Sequence, residues 1–311
     1  MDLSYFNARV RGMRGRLIRK AEYETFASLS TLEQYADRLR ATAYGPYVET
    51  ASGRTEKADD IIAIAIRSGL AITFTEMQKS APPQARPYLR GLLSIWEVYD
   101  LKVIIRAVSR AIKPEEALET IVPAGEFDLA AIKTLLTSAK DLPDMISFLE
   151  TWGSRFAKPL KDGLGAYRKN GSTAVMEHNL DVIGGQFAAY RLDANSIDGA
   201  LIQGIITSRI DGQNVMTLMK LCGVDAAAMP SPDALFLEGG KRLNKDTFVR
   251  LLASKDRAAL LAALEESLVD AAWKAVIGEA DPEDLGLLEE RLRKEGTGRY
   301  ELARLKDHRT S

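Results

Sequence analysis

Histidine and cysteine are almost missing from this chain. His178 and His308 are the only histidines and Cys222 the only cysteine. That excludes an internal disulfide, fits a reducing compartment and argues against a zinc cage or multi-histidine site. Net charge is also nearly missing. At -1 over 311 residues, neither a bulk polyanion binder nor an acidic tail is implied, so no nucleic-acid partner is expected. Long apolar runs are missing too. The strongest, Ile61 to Ile66, is closed by Arg67, far short of the roughly 20 residues that span a bilayer. No transmembrane segment and no signal-peptide core are therefore expected, and work at a membrane would be peripheral. Period-two alternation is nearly absent as well, while apolar positions recur at three and four. The expected class is all-α.

What the chain does contain is an echo. Glu97-Val98-Tyr99-Asp100-Leu101-Lys102-Val103-Ile104-Ile105-Arg106 is answered 114 residues later by Asp211-Gly212-Gln213-Asn214-Val215-Met216-Thr217-Leu218-Met219-Lys220. Each copy sets an acid, a short polar residue three later, an apolar run and a final cation. A small-residue turn follows each, Pro123-Ala124-Gly125 and Glu238-Gly239-Gly240. The echo continues through Leu135-Leu136 and Leu251-Leu252, Lys140-Asp141 and Lys255-Asp256, and Glu150 and Glu265. Self-similarity at fixed spacing marks copies of one supersecondary unit.

Several helices are expected. Phe26, Leu29, Leu32, Tyr35 and Leu39 form one amphipathic stripe, with Ser28 and Ser30 as N-cap oxygens and Tyr44-Gly45-Pro46-Tyr47 as its stop. A second helix runs from about Lys57 through Leu70. Pro82-Pro83 breaks the chain, and Pro87 suits the first turn of the helix bearing Glu97. Short helices follow on Ile132 to Leu136 and Met145 to Phe156. Lys161 to Ser172 reads as a Gly-rich connection. Met176 to Tyr190 and Ile197 to Ile210 are helical, and Pro230-Ser231-Pro232 is a loop. Phe248 through Leu268 restates the two-helix pattern.

Aligning Leu39, Leu149 and Leu264 gives three helical units, 1–110, 111–225 and 226–311. A third acid motif would fall near position 325 by the same spacing, so the third unit reads as incomplete, truncated at Ser311.

In a helix the acid and the second polar residue share a face, and the final cation falls about 180° from the acid. Placed near a helix start, the acid would meet unsatisfied N–H groups. Glu97, Asp100, Arg106, Asp211, Asn214 and Lys220 therefore read as packing and capping residues that dock a helix in one orientation. No nucleophile, metal or proton acceptor accompanies the Glu97–Asp100 pair. The basic segment from Ala8 to Ile18 offers Arg9, Arg11, Arg14 and Arg16 to an anionic lipid surface or an acidic partner helix. The competing reading is a helix with a solvated basic face, and Gly12 and Gly15 would admit a second backbone. Other patterns fail: Glu238-Gly239-Gly240-Lys241 lacks the spacing and hydroxyl of a phosphate-binding loop. Gly163-Leu164-Gly165 is no dinucleotide fingerprint. Asp59-Asp60 lacks the partner acid of a metal–diphosphate site, and His178 reads as a surface residue. No cofactor is expected.

The stretch Tyr5-Phe6-Asn7-Ala8-Arg9-Val10-Arg11-Gly12-Met13 resembles the opening of the C subunit of archaeal and bacterial A/V-type rotary ATPases, the counterpart of the d subunit in vacuolar ATPases. Tyr44-Gly45-Pro46-Tyr47, the acid-x-x-Asp/Asn helices and Phe236-Leu237-Glu238-Gly239-Gly240-Lys241-Arg242-Leu243 are similar to that family in the same order. The resemblance implies three helical units around a pseudo-threefold axis, forming a funnel. Its mouth would receive the central-stalk shaft subunits, and its base would sit on the proteolipid ring at the cytoplasmic face of the membrane. It implies a non-catalytic coupling subunit with no cofactor or metal. A helical-repeat adaptor unrelated to the ATPase, and an all-α enzyme of lipid or diphosphate chemistry needing a divalent metal, are the competing readings.

Overall fold

A computed structural model describes residues 3–190, 196–225, 229 and 231–307. His308 lies outside these residues, as does Pro230 of the expected loop. All regular structure among them is helical, with no strand. The chain packs as two compact units, Met1–Lys158 and Pro159–Ser311.

The first unit carries α1 (Leu3–Arg14), α2 (Lys20–Ala27), α3 (Leu32–Arg40), α4 (Gly45–Ser52), α5 (Ala58–Ser80), α6 (Arg86–Ser109), α7 (Pro114–Leu118), α8 (Leu129–Ser138) and α9 (Leu142–Thr151). The stripe from Phe26 to Leu39 is two helices rather than one. Thr31, not Ser28 or Ser30, caps α3 by accepting from the Gln34 N–H at 3.3 Å, while the Ser30 N–H donates to Gln34 Oε1 at 3.0 Å. The apolar side chains line one core across the break, where Phe26, Ala36 and Leu39 pack with Val48 and Ile64. Apolar spacing alone cannot show such a break. Tyr44-Gly45-Pro46-Tyr47 does not end α3, which stops at Arg40; Pro46 sits in the first turn of α4 instead. Asp59 and Asp60 fall in the first turn of α5, where the N–H groups favour negative charge. Pro87 opens α6 as expected.

The second unit carries α10 (Ala157–Asn170), which opens at the unit boundary, then α11 (Ala174–Tyr190), α12 (Ile197–Leu221), α13 (Lys245–Leu252), α14 (Arg257–Ser267), α15 (Ala271–Gly278) and α16 (Leu285–Asp307), with a 3-10 turn at Pro232–Ala234. The expected Gly-rich connection is thus helix. Gly163 lies where a Cβ would come within 3.0 Å of the Met176 backbone, so glycine there serves helix packing. His178 is half-buried on α11, not a surface residue. The core gathers Val215, Met219, Phe248, Leu251, Leu260 and Leu264 around a fully buried Trp273. Each such side chain contributes roughly 1.5–3 kcal/mol by leaving water.

The repeated short helix pairs share their caps. Asp128 begins α8 and Asn244 begins α13, each accepting from the N–H three residues on, at 2.8 and 2.9 Å. Asp141 begins α9 and Asp256 begins α14 in the same way, both at 2.8 Å. The Lys140-Asp141 and Lys255-Asp256 echo therefore records the N-cap of the second helix in each pair. Phe156 lies beyond α9, which ends at Thr151 ahead of Gly153 at a φ of +67°.

Candidate functional site

The two acids stand in the middle of the long helices α6 and α12, not near their starts. Neither caps its own helix. Each faces inward and receives the backbone of the small-residue turn that follows.

In the first unit Glu97 is 1% exposed and Asp100 3%. The Glu126 N–H donates to Glu97 Oε1 at 2.5 Å, and the Val122 N–H to Asp100 Oδ1 at 2.9 Å. Arg155 pairs with the other oxygen of Glu97, reaches Glu126 at 3.5 Å and lies 4.4 Å over the Phe156 ring. Gly125, at a φ of +78°, is required twice over. L side chains avoid that backbone, and a Cβ would sit 2.7 Å from Glu97 Oε1. Burial pushes the Glu97 carboxyl up to about 7 despite the opposing pull of Arg155. Burial, helped by the field of Glu97, pushes Asp100 up to about 8.

The second unit repeats the arrangement. Asp211 and Asn214 are both fully buried. The Lys241, Arg242 and Leu243 N–H groups donate to the Asp211 carboxylate at 3.0, 3.1 and 3.3 Å. Arg242 adds a guanidinium contact at 3.4 Å, bonds Asp270 at 2.9 Å and Ser208 at 2.9 Å, and lies 4.6 Å over Trp273. A Cβ on Gly240 would overlap Asp211 Oδ1. Asn214 Nδ2 donates to the Leu237 carbonyl, and the Leu237 N–H donates to Asn214 Oδ1, both at 2.8 Å. Burial raises the Asp211 carboxyl, and its backbone donors oppose the rise.

The correspondence is close in sequence as well as in space. Second polar residue to turn peptide spans 22 residues in one unit and 23 in the other; acid to turn N–H spans 29 and 30. Each acid holds an arginine stacked on a fully buried aromatic ring. A buried acid is tolerated only where donors replace its water, and the turn supplies them. The turn is thereby latched to the long helix. Arg106 and Lys220 end the apolar runs and are exposed, as their opposition to the buried acids requires.

The repeat does not mark Arg155 or Arg242. Arg155 follows its acid by 58 residues, beyond α9, whereas Arg242 follows by 31, within the turn. Each guanidinium reaches the acid of its own unit from a different place in the sequence. The only local signal is an aromatic beside Arg155.

Arg9, Arg11, Arg14 and Arg16 are exposed, on α1 and just past its end. Phe6 and Val10 of the same helix join Leu89, Leu93 and Ala81 in a core. Arg16 pairs with Glu76 at 3.4 Å while 62% exposed. Nothing lies within 4 Å of a Cβ placed on Gly12, and only carbonyls of the preceding turn lie near one on Gly15. Among the described residues, therefore, no second backbone packs at these positions. Among the described residues no group of three His, Cys, Asp or Glu side chains could hold a metal ion, and no helix is long and apolar enough to cross a membrane.

A family model described as "ATP synthase (C/AC39) subunit" matches residues 6–308. The chain belongs to that family. Similar proteins are named as the C subunit of A-type ATP synthase. One from Methanosphaera stadtmanae is 23% identical over 85% of this chain and 66% of its own length. One from Methanothermobacter thermautotrophicus is 28% identical over 57% and 43%, and one from Pyrococcus horikoshii 25% identical over 98% and 77%. The chain thus spans between about two-fifths and three-quarters of these relatives. As a member of the ATP synthase (C/AC39) subunit family it is not an adaptor unrelated to the ATPase.

Proposed function

We propose that this chain is a non-catalytic coupling subunit of an A/V-type rotary ATPase, joining the central-stalk shaft subunits to the membrane proteolipid ring. The three helical units, 1–110, 111–225 and 226–311, would stand around a pseudo-threefold axis as a funnel on the cytoplasmic face. The observation that carries this reading is the latch built twice in an all-helical member of this family. In each copy a buried acid and a polar side chain bond the backbone of a turn and hold it to a long helix, with an arginine on the acid. Such groups stiffen a body against deformation, which is what transmission of torque demands. The exposed cations Arg9, Arg11, Arg14 and Arg16 would grip a partner of opposite charge at the rim.

A pull-down with the folded, full-length protein tests the assignment. Recovery of both the shaft subunits and the proteolipid ring supports it. Failure to recover either one overturns it.

A further inference from the structure

Asn214 and Asp100 occupy the same register of the two latches, yet they do not make the same bonds. Asn214 engages its turn peptide twice, donating to the Leu237 carbonyl and accepting from the Leu237 N–H. Asp100 accepts once, from the Val122 N–H at 2.9 Å. Its second oxygen, Oδ2, is buried with no hydrogen-bond partner, on a side chain 3% exposed. An ionised carboxylate can only accept, so it cannot reproduce the donation that Asn214 makes. A carboxylic acid can.

We propose that Asp100 holds a structural proton on Oδ2 and is the acid counterpart of Asn214, its O–H donating to the Val122 carbonyl. Loss of that proton in mildly alkaline solution then unlatches the turn at 122–126 from α6. The charged surroundings agree. Glu97, one turn earlier on the same helix, opposes a second negative charge, and the rise of Asp100 to about 8 reflects both burial and that neighbour. Arg155 and Glu126 approach from the flanking segments and engage Glu97. On the helices packed against α6, Glu115 and Glu116 of α7, Lys133 of α8 and Glu150 of α9 are exposed. Asp144 of α9 is half-buried and accepts from the Lys140 N–H at 3.1 Å. The Val122 N–H is what opposes the rise.

The sign follows from linkage. The folded value lies above the ordinary 3.8, so the stabilisation is complete below about pH 4 and is lost as pH rises through about 8. Unfolding of the full chain and of Asp100→Asn, measured from about pH 5 to 9, should show the wild-type folding constant falling against the variant's. The fall should approach tenfold per pH unit and level off above about 8. Amide exchange on the wild type alone gives a second readout. After correction for intrinsic base catalysis, protection of Val122 should fall above about pH 8 while that of Leu237 holds. A folding-constant ratio that stays flat with pH, an Asn variant that cannot fold, or Val122 and Leu237 amides that respond alike would each overturn the proposal.

Discussion

Asp211 and Gly240 are so close that no side chain fits between them: a Cβ on the glycine would overlap Asp211 Oδ1. The turn is drawn onto the buried carboxylate until backbone and acid are in contact, and three consecutive N–H groups close on it. Gly240→Ala must therefore push the turn off the acid. A loss of about 2–4 kcal/mol is expected by urea unfolding, from overpacking together with weakened bonds to a buried charge. Gly165→Ala is the control. It lies in α10 with open space at the Cβ position, and should be neutral or stabilising by about 0.5–1 kcal/mol.

Asn214→Ala removes two hydrogen bonds and leaves the backbone N–H and C=O of the buried Leu237 without these partners. At about 1–3 kcal/mol for each orphaned group, a loss of roughly 2–5 kcal/mol is expected in chemical denaturation. Asn214→Asp should transfer the behaviour of Asp100 to the second unit. The variant should approach wild type in acid and weaken progressively from about pH 5 to 8.

Arg242→Lys should behave as a disruptive change. The guanidinium bonds Asp270 and Ser208, touches Asp211 and lies over Trp273 together. A lysine ammonium offers neither that planar fork nor the stacking. Stability should fall by about 2–4 kcal/mol, because lysine keeps the charge but loses the simultaneous bonds to Asp270 and Ser208 and the stacking on Trp273. Arg242→Ala, which also strips Asp211 of its cation, should cost more. Recovery of wild-type stability by lysine would count against the arrangement.

Stability of the whole chain should decline as pH rises from about 4.5 to 7. Glu97 is raised from 4.5 to about 7, so the folded chain holds a proton that the unfolded chain releases. Its contribution is complete below about pH 4.5 and fades through about pH 7. Glu97→Gln should flatten that part of the thermal-stability profile relative to wild type. An unchanged slope between about pH 5 and 7 would contradict it.

Reversing Arg9, Arg11 and Arg14 to Glu should leave stability within about 0.5 kcal/mol, since these side chains are exposed. Affinity for the shaft or ring should fall severalfold, and the wild-type affinity should weaken with added salt. Variants that bind as wild type does would assign these cations to solvent alone.

The helical class and the two acid motifs were legible because apolar period and register repeat along the chain. Leu135-Leu136 and Leu251-Leu252 lie in equivalent short helices, and the lysine–aspartate pairs mark equivalent caps. The purpose of the acids was not legible. Nothing local distinguishes an acid that caps a helix from one that latches a turn 29 residues away. Arg155 and Arg242 escaped for a related reason, since each meets its own acid only in the folded unit and their sequence positions differ. Gly163 looked like a loop signal because the close approach of Met176 that demands it is a tertiary fact.

The most direct measurement uses an immobilised proteolipid ring, to which shaft subunits are added with and without this protein. The account predicts that the shaft is retained only when the chain is present, as a ternary complex. Equal retention of the shaft without it, or a folded chain that binds the ring but never the shaft, would contradict the coupling role.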